Sequence, residues 1–378
     1  TLWFVGRHEG IEPDAPQLFR ISAESLTADS FKPQQVTRYE VGVANVKVAP
    51  DGRRFALTRD IKLDQTVSEL YPDLPLADAR IIDSLMYRHW DAWHDFAYSH
   101  LHVAEIDESG AAAEPRDLMP GQRNDTPVAP FGGSEQFAWS PDSRTIAYTT
   151  KISANPAEST DSSVWTIDVT SESPAQLVTA GRPGYDNDPF WSADGATLGF
   201  HAMERAGFEA DRNRVMLLDL GSGALTEATK DLDQNAHATR FLADGRLMFS
   251  SEIDGTVQLY ELSRAGELRQ VTGGEFDWGL VKVLPDGSGA VVTRQSMVHP
   301  NELYRIDLSD PLSEPIAISR INDELLAGLE LPRIVRRDVT ATDGATIRCW
   351  VALPPDFDPA RPERWPLLLY CQGGPQSQ

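Results

Sequence analysis

The sequence predicts an all-β protein of the β-propeller type, and two observations carry that prediction. First, one unit occurs five times: an apolar strand, a tight turn, then a second apolar strand. The copies are VKVAPDG (46–52) before FAL (55–57), FAWSPDS (137–143) before IAY (146–148), and FWSADG (190–195) before LGF (198–200). FLADG (241–245) before LMF (247–249) and VKVLPDG (281–287) before AVV (290–292) complete the set. Asp-Gly between alternating apolar runs is a strong hairpin signal, because both residues tolerate positive φ. Second, the turn aspartates Asp51, Asp142, Asp194, Asp244 and Asp286 lie 91, 52, 50 and 42 residues apart. The last three intervals match the roughly 40–50 residue period of propeller blades. A β-sandwich has no reason to show such a period.

The elements follow in order. TLWF at 1–4 aligns with TIAY at 145–148, so the chain opens in the second strand of a blade. QLFRI (17–21) and QQVT (34–37) supply the remaining strands of that blade. Between successive turns lie two more strand-like segments, such as VWTI (164–167) with QLV (176–178), or VQLY (257–260) with LRQV (268–271). Four strands per repeat make a blade, and six blades are visible across residues 1–330. A ring must close to hide its edges, so at least one further blade is expected upstream, seven or eight in the intact protein.

The 91-residue interval reads as one blade carrying an insertion at about 61–98, since its third strand resumes at SHLHV (99–103). Pro72 and Pro75 mark a loop, and Asp78 is placed to cap a following helix. Ile82, Leu85, Met86, Trp90 and Trp93 then recur at helical spacing, with Arg80, Ser84, Arg88, Asp91 and Asp95 opposite. Asp91 and Asp95 at i,i+4 could hold a cation such as a substrate's ammonium group. The alternative is a solvated face on which Arg88 neutralises Asp91. Tyr87, Trp90 and Trp93 suit either ordinary packing or the wall of an apolar pocket. YDND (185–188) and EFDW (275–278) occupy equivalent loop positions in two blades, where binding residues gather but where acidic residues are more often simply solvated. His89, His94, His100 and His102 cluster without a ligand-set spacing, so no metal and no cofactor are expected.

Beyond residue 330 the texture changes. PRIVRR (332–337) and IRCWVA (347–352) read as strands around the turn TDGA (342–345), and a proline-rich stretch leads to PLLLY (366–370). That run is apolar without alternation, as expected for a strand buried on both faces. CQGGPQSQ (371–378) follows, and glycines there let backbone N–H groups approach a ligand closely. A buried strand opening into such a turn is how an α/β-hydrolase begins its oxyanion hole. The fold class is therefore a β-propeller followed by the first strands of an α/β-hydrolase domain, at 331–378.

Composition bounds the function. A formal charge of −23 and a pI near 4.7 argue against nucleic acid, whose phosphates need a basic face. The same charge serves solubility and would attract a cationic ligand at long range. No apolar run approaches the ~18 residues of a membrane span, and no targeting signal is visible near Thr1. Cys349 and Cys371 exclude a disulfide framework; both fall in expected strands, as buried thiols or as one bridge between neighbouring strands.

The order of Asp-Gly blades, a strand pair and LLYCQGGPQS (368–377) resembles the prolyl oligopeptidase family of serine peptidases, in which a propeller caps an α/β-hydrolase domain. MYRHWD (86–91) followed by SHL (99–101) resembles the acylaminoacyl-peptidase-like branch. The resemblance implies a catalytic serine in a G-x-S-x-G elbow, then Asp and His, downstream of Gln378. No such elbow occurs in these residues, so no catalytic residue is assigned here and the chain alone is expected to be inactive. It also implies an oxyanion donor before Gly-Gly-Pro. Relatives carry His or Tyr there and this chain carries Gln372, so the donor is either the Gln372 amide or a backbone N–H near Gly373. A lost oxyanion donor costs ~2.7–4 kcal/mol of barrier. The expected function is substrate gating in an exopeptidase that releases dipeptides from free amino ends of peptides. Acylaminoacyl peptidase or oligopeptidase activity, and a non-enzymatic TolB-like binding propeller, are the alternatives. Peptides with a free N-terminus are the expected partners, with a homodimer compatible, and the resemblance suggests a periplasmic or secreted location.

Overall fold

The structure, a computed structural model, describes residues 1–7, 13–26, 33–153, 155–361 and 364–371. Nearly all of its regular structure is antiparallel strand. The first sheet has three strands (Leu2–Gly6, Gln17–Ile21, Gln34–Gln35), and three further sheets have four each. These start at Ala44–Val48, Phe137–Trp139 and Asp186–Trp191. An eight-stranded sheet then spans His237–Phe241 to Ile316–Ala317. It consists of two blade-like quartets joined where Val257 meets Asp277 in a single parallel bridge. Among the described residues six repeats are thus present, one incomplete blade and five full ones, the last two merged in a single sheet.

The turns explain why these residues form hairpins. In each repeat the glycine, or Ser143, donates its N–H to the carbonyl three residues back: Gly52 to Ala49 at 2.9 Å, Ser143 to Ser140 at 2.9 Å, Gly195 to Ser192 at 3.0 Å. Gly245 and Gly287 do the same at 2.9 Å. Only this last residue is left-handed, with φ between 62° (Ser143) and 86° (Gly245). The aspartate instead turns its carboxylate onto the N–H two residues on, at 2.9 Å for Asp51 and 3.1 Å for Asp142. The motif is therefore a type I turn closed by a left-handed residue, not a turn with two positive φ values. Ser143 stands in for glycine, and its hydroxyl accepts from the Asp51 N–H of the preceding blade at 3.0 Å.

The chain divides into two compact units, residues 1–211 with 216–226, and residues 212–215 with 227–378. In the first unit, adjacent blades share cores. Ala56 and Leu101 of one sheet, with Met119 just past its last strand, pack with Phe137, Ile146 and Tyr148 of the next. Inner-strand tryptophans tie neighbours together: Trp139 Nε1 donates to the Lys47 carbonyl at 2.9 Å and Trp191 Nε1 to Ala138 at 3.2 Å. In the second unit, Met248, Leu259, Trp278, Val292 and Ile306 form the common core of both quartets. Arg333–Thr340 and Thr346–Leu353 pair as a hairpin in the same unit, closed by the same turn chemistry, with Gly344 N–H to Ala341 at 3.0 Å.

Two expectations fail beyond that hairpin. Residues 366–370 form no strand, and Leu367, Leu368, Leu369 and Tyr370 are 83–94% exposed. A strand buried on both faces needs a partner on each edge and a layer on each side, and no described segment supplies them. Cys371 is likewise outside any strand and exposed, while Cys349 lies half-buried in the hairpin; both thiols are free.

Candidate functional site

Because strands alternate in direction, all the turns just described lie at one edge of their sheets. The other edge carries the longer connections, including 63–96, 119–136 and 178–185 in the first unit. Loops of this kind on a rigid scaffold are where binding residues gather.

The insertion leaves Arg54–Lys62 and returns in Ala97–Glu105, which pair side by side from Arg54–Glu105 to Lys62–Ala97. Its path is not the expected helix. One helical turn, Val67–Leu70, forms behind a Thr66/Glu69 capping box, with Lys62 paired to Glu69 at 2.5 Å. Residues 78–95 contain no helix, and Asp78 caps nothing; Arg88–His89 and Ala92–Trp93 make a minimal hairpin turning at Trp90-Asp91. The reason is a contact that a helix forbids. Arg80 grips Asp95 through a two-pronged pair at 2.5 and 2.6 Å, whereas fifteen helical residues would hold them about 22 Å apart. Isoleucines and aromatic residues in this stretch also favour helix weakly.

The consequence for the candidate residues is specific. Arg80 lies 4.5 Å over the Trp93 ring, and Trp93 stacks on Tyr87 at 6.0 Å. Tyr87, Trp93 and Asp95 are thus brought together, but around a resident guanidinium whose hydrogen bond holds the Asp95 carboxyl below its ordinary range. Asp91 stands apart on the exposed turn. Trp90 points instead to His89 and Phe131, 4.6 and 5.4 Å away, beside a hollow of about 380 Å³ lined by Leu85, Met86 and Tyr87. Leu76, Trp90 and Phe131 are strongly exposed, so this edge presents apolar surface.

A second set of residues, of which the sequence singled out only His94, moors the insertion to the blade edge. Arg123 pairs with Asp64 at 2.8 Å, and Tyr98 donates its hydroxyl to the same carboxylate at 2.8 Å. Burial, and next the Asp64 carboxylate, push the Tyr98 phenol up to about 12. His94 faces Asp125 at 3.6 Å, and that contact raises the imidazole's pKa. The only sequence signal was the local cluster of histidines; the partners lie up to 59 residues away. The acidic run 185–188 is not the expected loop either, since Asp186–Trp191 is a strand, and it is not a solvated run. Asp186 is fully buried against Arg182 at 2.9 Å, and Asp188 meets His201 at 3.2 Å.

In the second unit, the hairpin is clamped to the Asp254-Gly255 turn. Trp350 Nε1 donates to the Gly255 carbonyl at 3.0 Å, and Arg348 pairs with both Asp254 and Asp338. Gly255 has φ +78°, and a Cβ there would sit 2.9 Å from Trp350 Nε1. Gly255→Ala is therefore expected to destabilise hairpin docking by about 1–3 kcal/mol, from backbone strain and the lost approach. A lowered urea midpoint with changed tryptophan emission checks this; an unchanged midpoint would refute the clamp. Beside the clamp lies a cleft of about 250 Å³ bounded by Phe276, Met297, Ile334 and Trp350.

Gln372 and Gly373 lie outside the described residues. Among the described residues no three His, Cys, Asp or Glu side chains gather as a metal site, and no helix is long and apolar enough to cross a membrane.

Comparison with known proteins agrees with this architecture. No family model matches the chain. It is 32% identical over 340 residues to dipeptidyl-peptidase 5 of Porphyromonas gingivalis, covering 89% of this chain and 48% of that protein. The dipeptidyl-peptidase 5 of Porphyromonas endodontalis is 34% identical over 357 residues, with 93% and 50% covered. The chain thus spans about half the length of these curated relatives. In fold it is similar to the Pyrococcus horikoshii acylaminoacyl peptidase, with TM-score 0.68 at 12% identity over 95% of this chain and 49% of that one. It is also similar to the β-propeller domain of the Trilobed protease from Pyrococcus furiosus, with TM-score 0.52 at 12% identity over 86% and 80%. Its relatives at 32–34% identity are named dipeptidyl-peptidase 5, and the structures similar to it in fold include a protease β-propeller domain.

Proposed function

We propose that this chain is the substrate-handling propeller portion of a serine exopeptidase that releases dipeptides from the free amino ends of peptides. The observation that carries the reading is sequence identity of 32–34% to proteins named dipeptidyl-peptidase 5 along 89–93% of the chain. The nucleophile, acid and histidine are supplied by sequence outside these residues, in keeping with relatives about twice as long and with the lack of a G-x-S-x-G elbow here. The hairpin 333–353 is then the entry to the catalytic domain, with Gln372 or the Gly373 N–H as the oxyanion donor.

In this reading the blade edge carrying residues 63–96 receives the substrate. Peptide substrates arrive with a positive amino terminus, which a chain of charge −23 attracts. Asp91, exposed on its turn, is the carboxylate open to that ammonium group. Asp95 serves it only by exchanging Arg80 for the substrate. Tyr87, Trp90 and Trp93 offer apolar surface to the first side chains. The peptidase acts in the periplasm or outside the cell.

The test uses the whole enzyme of which this chain forms part, with free and N-acetylated dipeptide chromogenic substrates. Free substrates should be cleaved with kcat/KM about tenfold or more above the acetylated ones, from loss of the ammonium anchor. Equal rates would instead support acylaminoacyl peptidase or oligopeptidase activity. A fluorophosphonate probe should label that enzyme and leave residues 1–378 alone unlabelled. Labelling of the isolated chain would overturn the placement of the triad, and no labelling of the whole enzyme would favour a binding propeller.

A further inference from the structure

We infer that the cleft beside the 333–353 hairpin binds the side chain of a basic residue, lysine or arginine, in a bound peptide. The inference rests on the peptide-handling reading above and adds a second recognition point, separate from the amino-terminal anchor. Its walls are apolar: Phe276, Val298, Ile334 and Trp350 enclose about 250 Å³, room for one long side chain. Its polar members are Thr256 and Ser296 with Glu275 and Asp277, so both of its charged residues are acidic.

The charges favour a cation. Asp277 uses one oxygen to accept the Val257 N–H at 2.9 Å, and Glu275 is exposed at the cleft. Three guanidiniums stand nearby and none lines the cleft. Arg348 is matched by Asp254 and Asp338. Arg294 lies against Phe276 at 4.4 Å and Tyr304 at 3.9 Å, with its Nη2 donating to the Tyr304 hydroxyl at 2.7 Å. Arg336, opposite Trp350 in the hairpin, acts on the Asp338 carboxylate two residues on. Four carboxylates therefore face three guanidiniums around this cleft, leaving one negative charge in excess. A lysine or arginine stem would lie along Ile334 and Val298 while its head reaches Glu275. The Trp350 indole, held in place by its bond to Gly255, adds attraction for a cation over its face.

The experiment is equilibrium binding of two dye-labelled peptides to the protein, Ac-Ala-Lys-Ala and Ac-Ala-norleucine-Ala. Acetylation removes the amino-terminal charge, so only the side chain is read, and no hydrolysis is needed. The lysine peptide should bind about fivefold more tightly at low salt, a preference that shrinks as salt rises. Glu275→Gln should abolish most of the preference, whereas Glu108→Gln, an equal charge change at an exposed site in the first unit, should leave it intact. Equal affinities for both peptides, or equal effects of the two substitutions, would overturn the inference. Failure of the dipeptidase reading alone would show in the chromogenic assay and leave this preference unchanged.

Discussion

Phe137→Ala should lower the stability of the first unit by about 3–5 kcal/mol, the cost of emptying a closed aromatic site. Phe137 is fully buried at the junction of two blades, among Leu101, Met119, Ile146 and Tyr148. Lys47 also packs on its ring at 5.2 Å and donates to its carbonyl at 2.6 Å. The loss therefore strikes both the core and the tie between blades. Urea unfolding followed by tryptophan emission measures it, since Trp139 belongs to the same cluster. A shift under about 1 kcal/mol would mean that this junction is loosely packed, contrary to the structure.

Arg182→Ala should cost about 2–4 kcal/mol at neutral pH, because it strands the Asp186 carboxylate in the interior. Asp186 has no exposed surface, and both of its oxygens contact Arg182 Nε, at 3.1 and 2.9 Å. Burial raises its pKa, and the Arg182 contact only partly offsets that rise. The sign follows. A carboxyl whose folded pKa exceeds its unfolded one contributes stability fully present below the unfolded value, near 3.9, and lost as pH rises through the folded value. Removing Arg182 lifts the folded value further, so the variant's deficit should be largest at neutral pH and shrink on acidification. Adding Asp186→Asn should recover most of the loss, since a neutral amide carries no charge into the interior. A deficit that does not change with pH would show that Arg182 acts by packing on Phe200, 5.7 Å away, and not by charge.

How much was legible in the chain varies by element. The five turn motifs were readable because their chemistry is local: a glycine or Ser143 for the left-handed position and an aspartate to hold the next N–H. Even there, the expected turn with two positive φ values gave way to a type I turn. The proline before Asp51, Asp142 and Asp286 presets the first central residue of that type. The helix expected from Asp78 failed because periodicity counts apolar spacing and cannot see Arg80 reaching Asp95. Asp186 was read as a solvated loop acid, since nothing in four consecutive residues shows that Arg182 will fold over it.

By itself, then, the amino-acid sequence determined the repeat, the type of strand pairing and the hairpin that follows the last blade. These depend on φ preferences and two-residue alternation, which contiguous residues carry. Only the tertiary structure decided the shape of the insertion, the burial of Asp186 and the seating of Trp350 on Gly255, 95 residues away. Each of those is a pairing between groups that chain path alone brings into range, and its strength comes from the desolvation and fixed geometry that packing imposes.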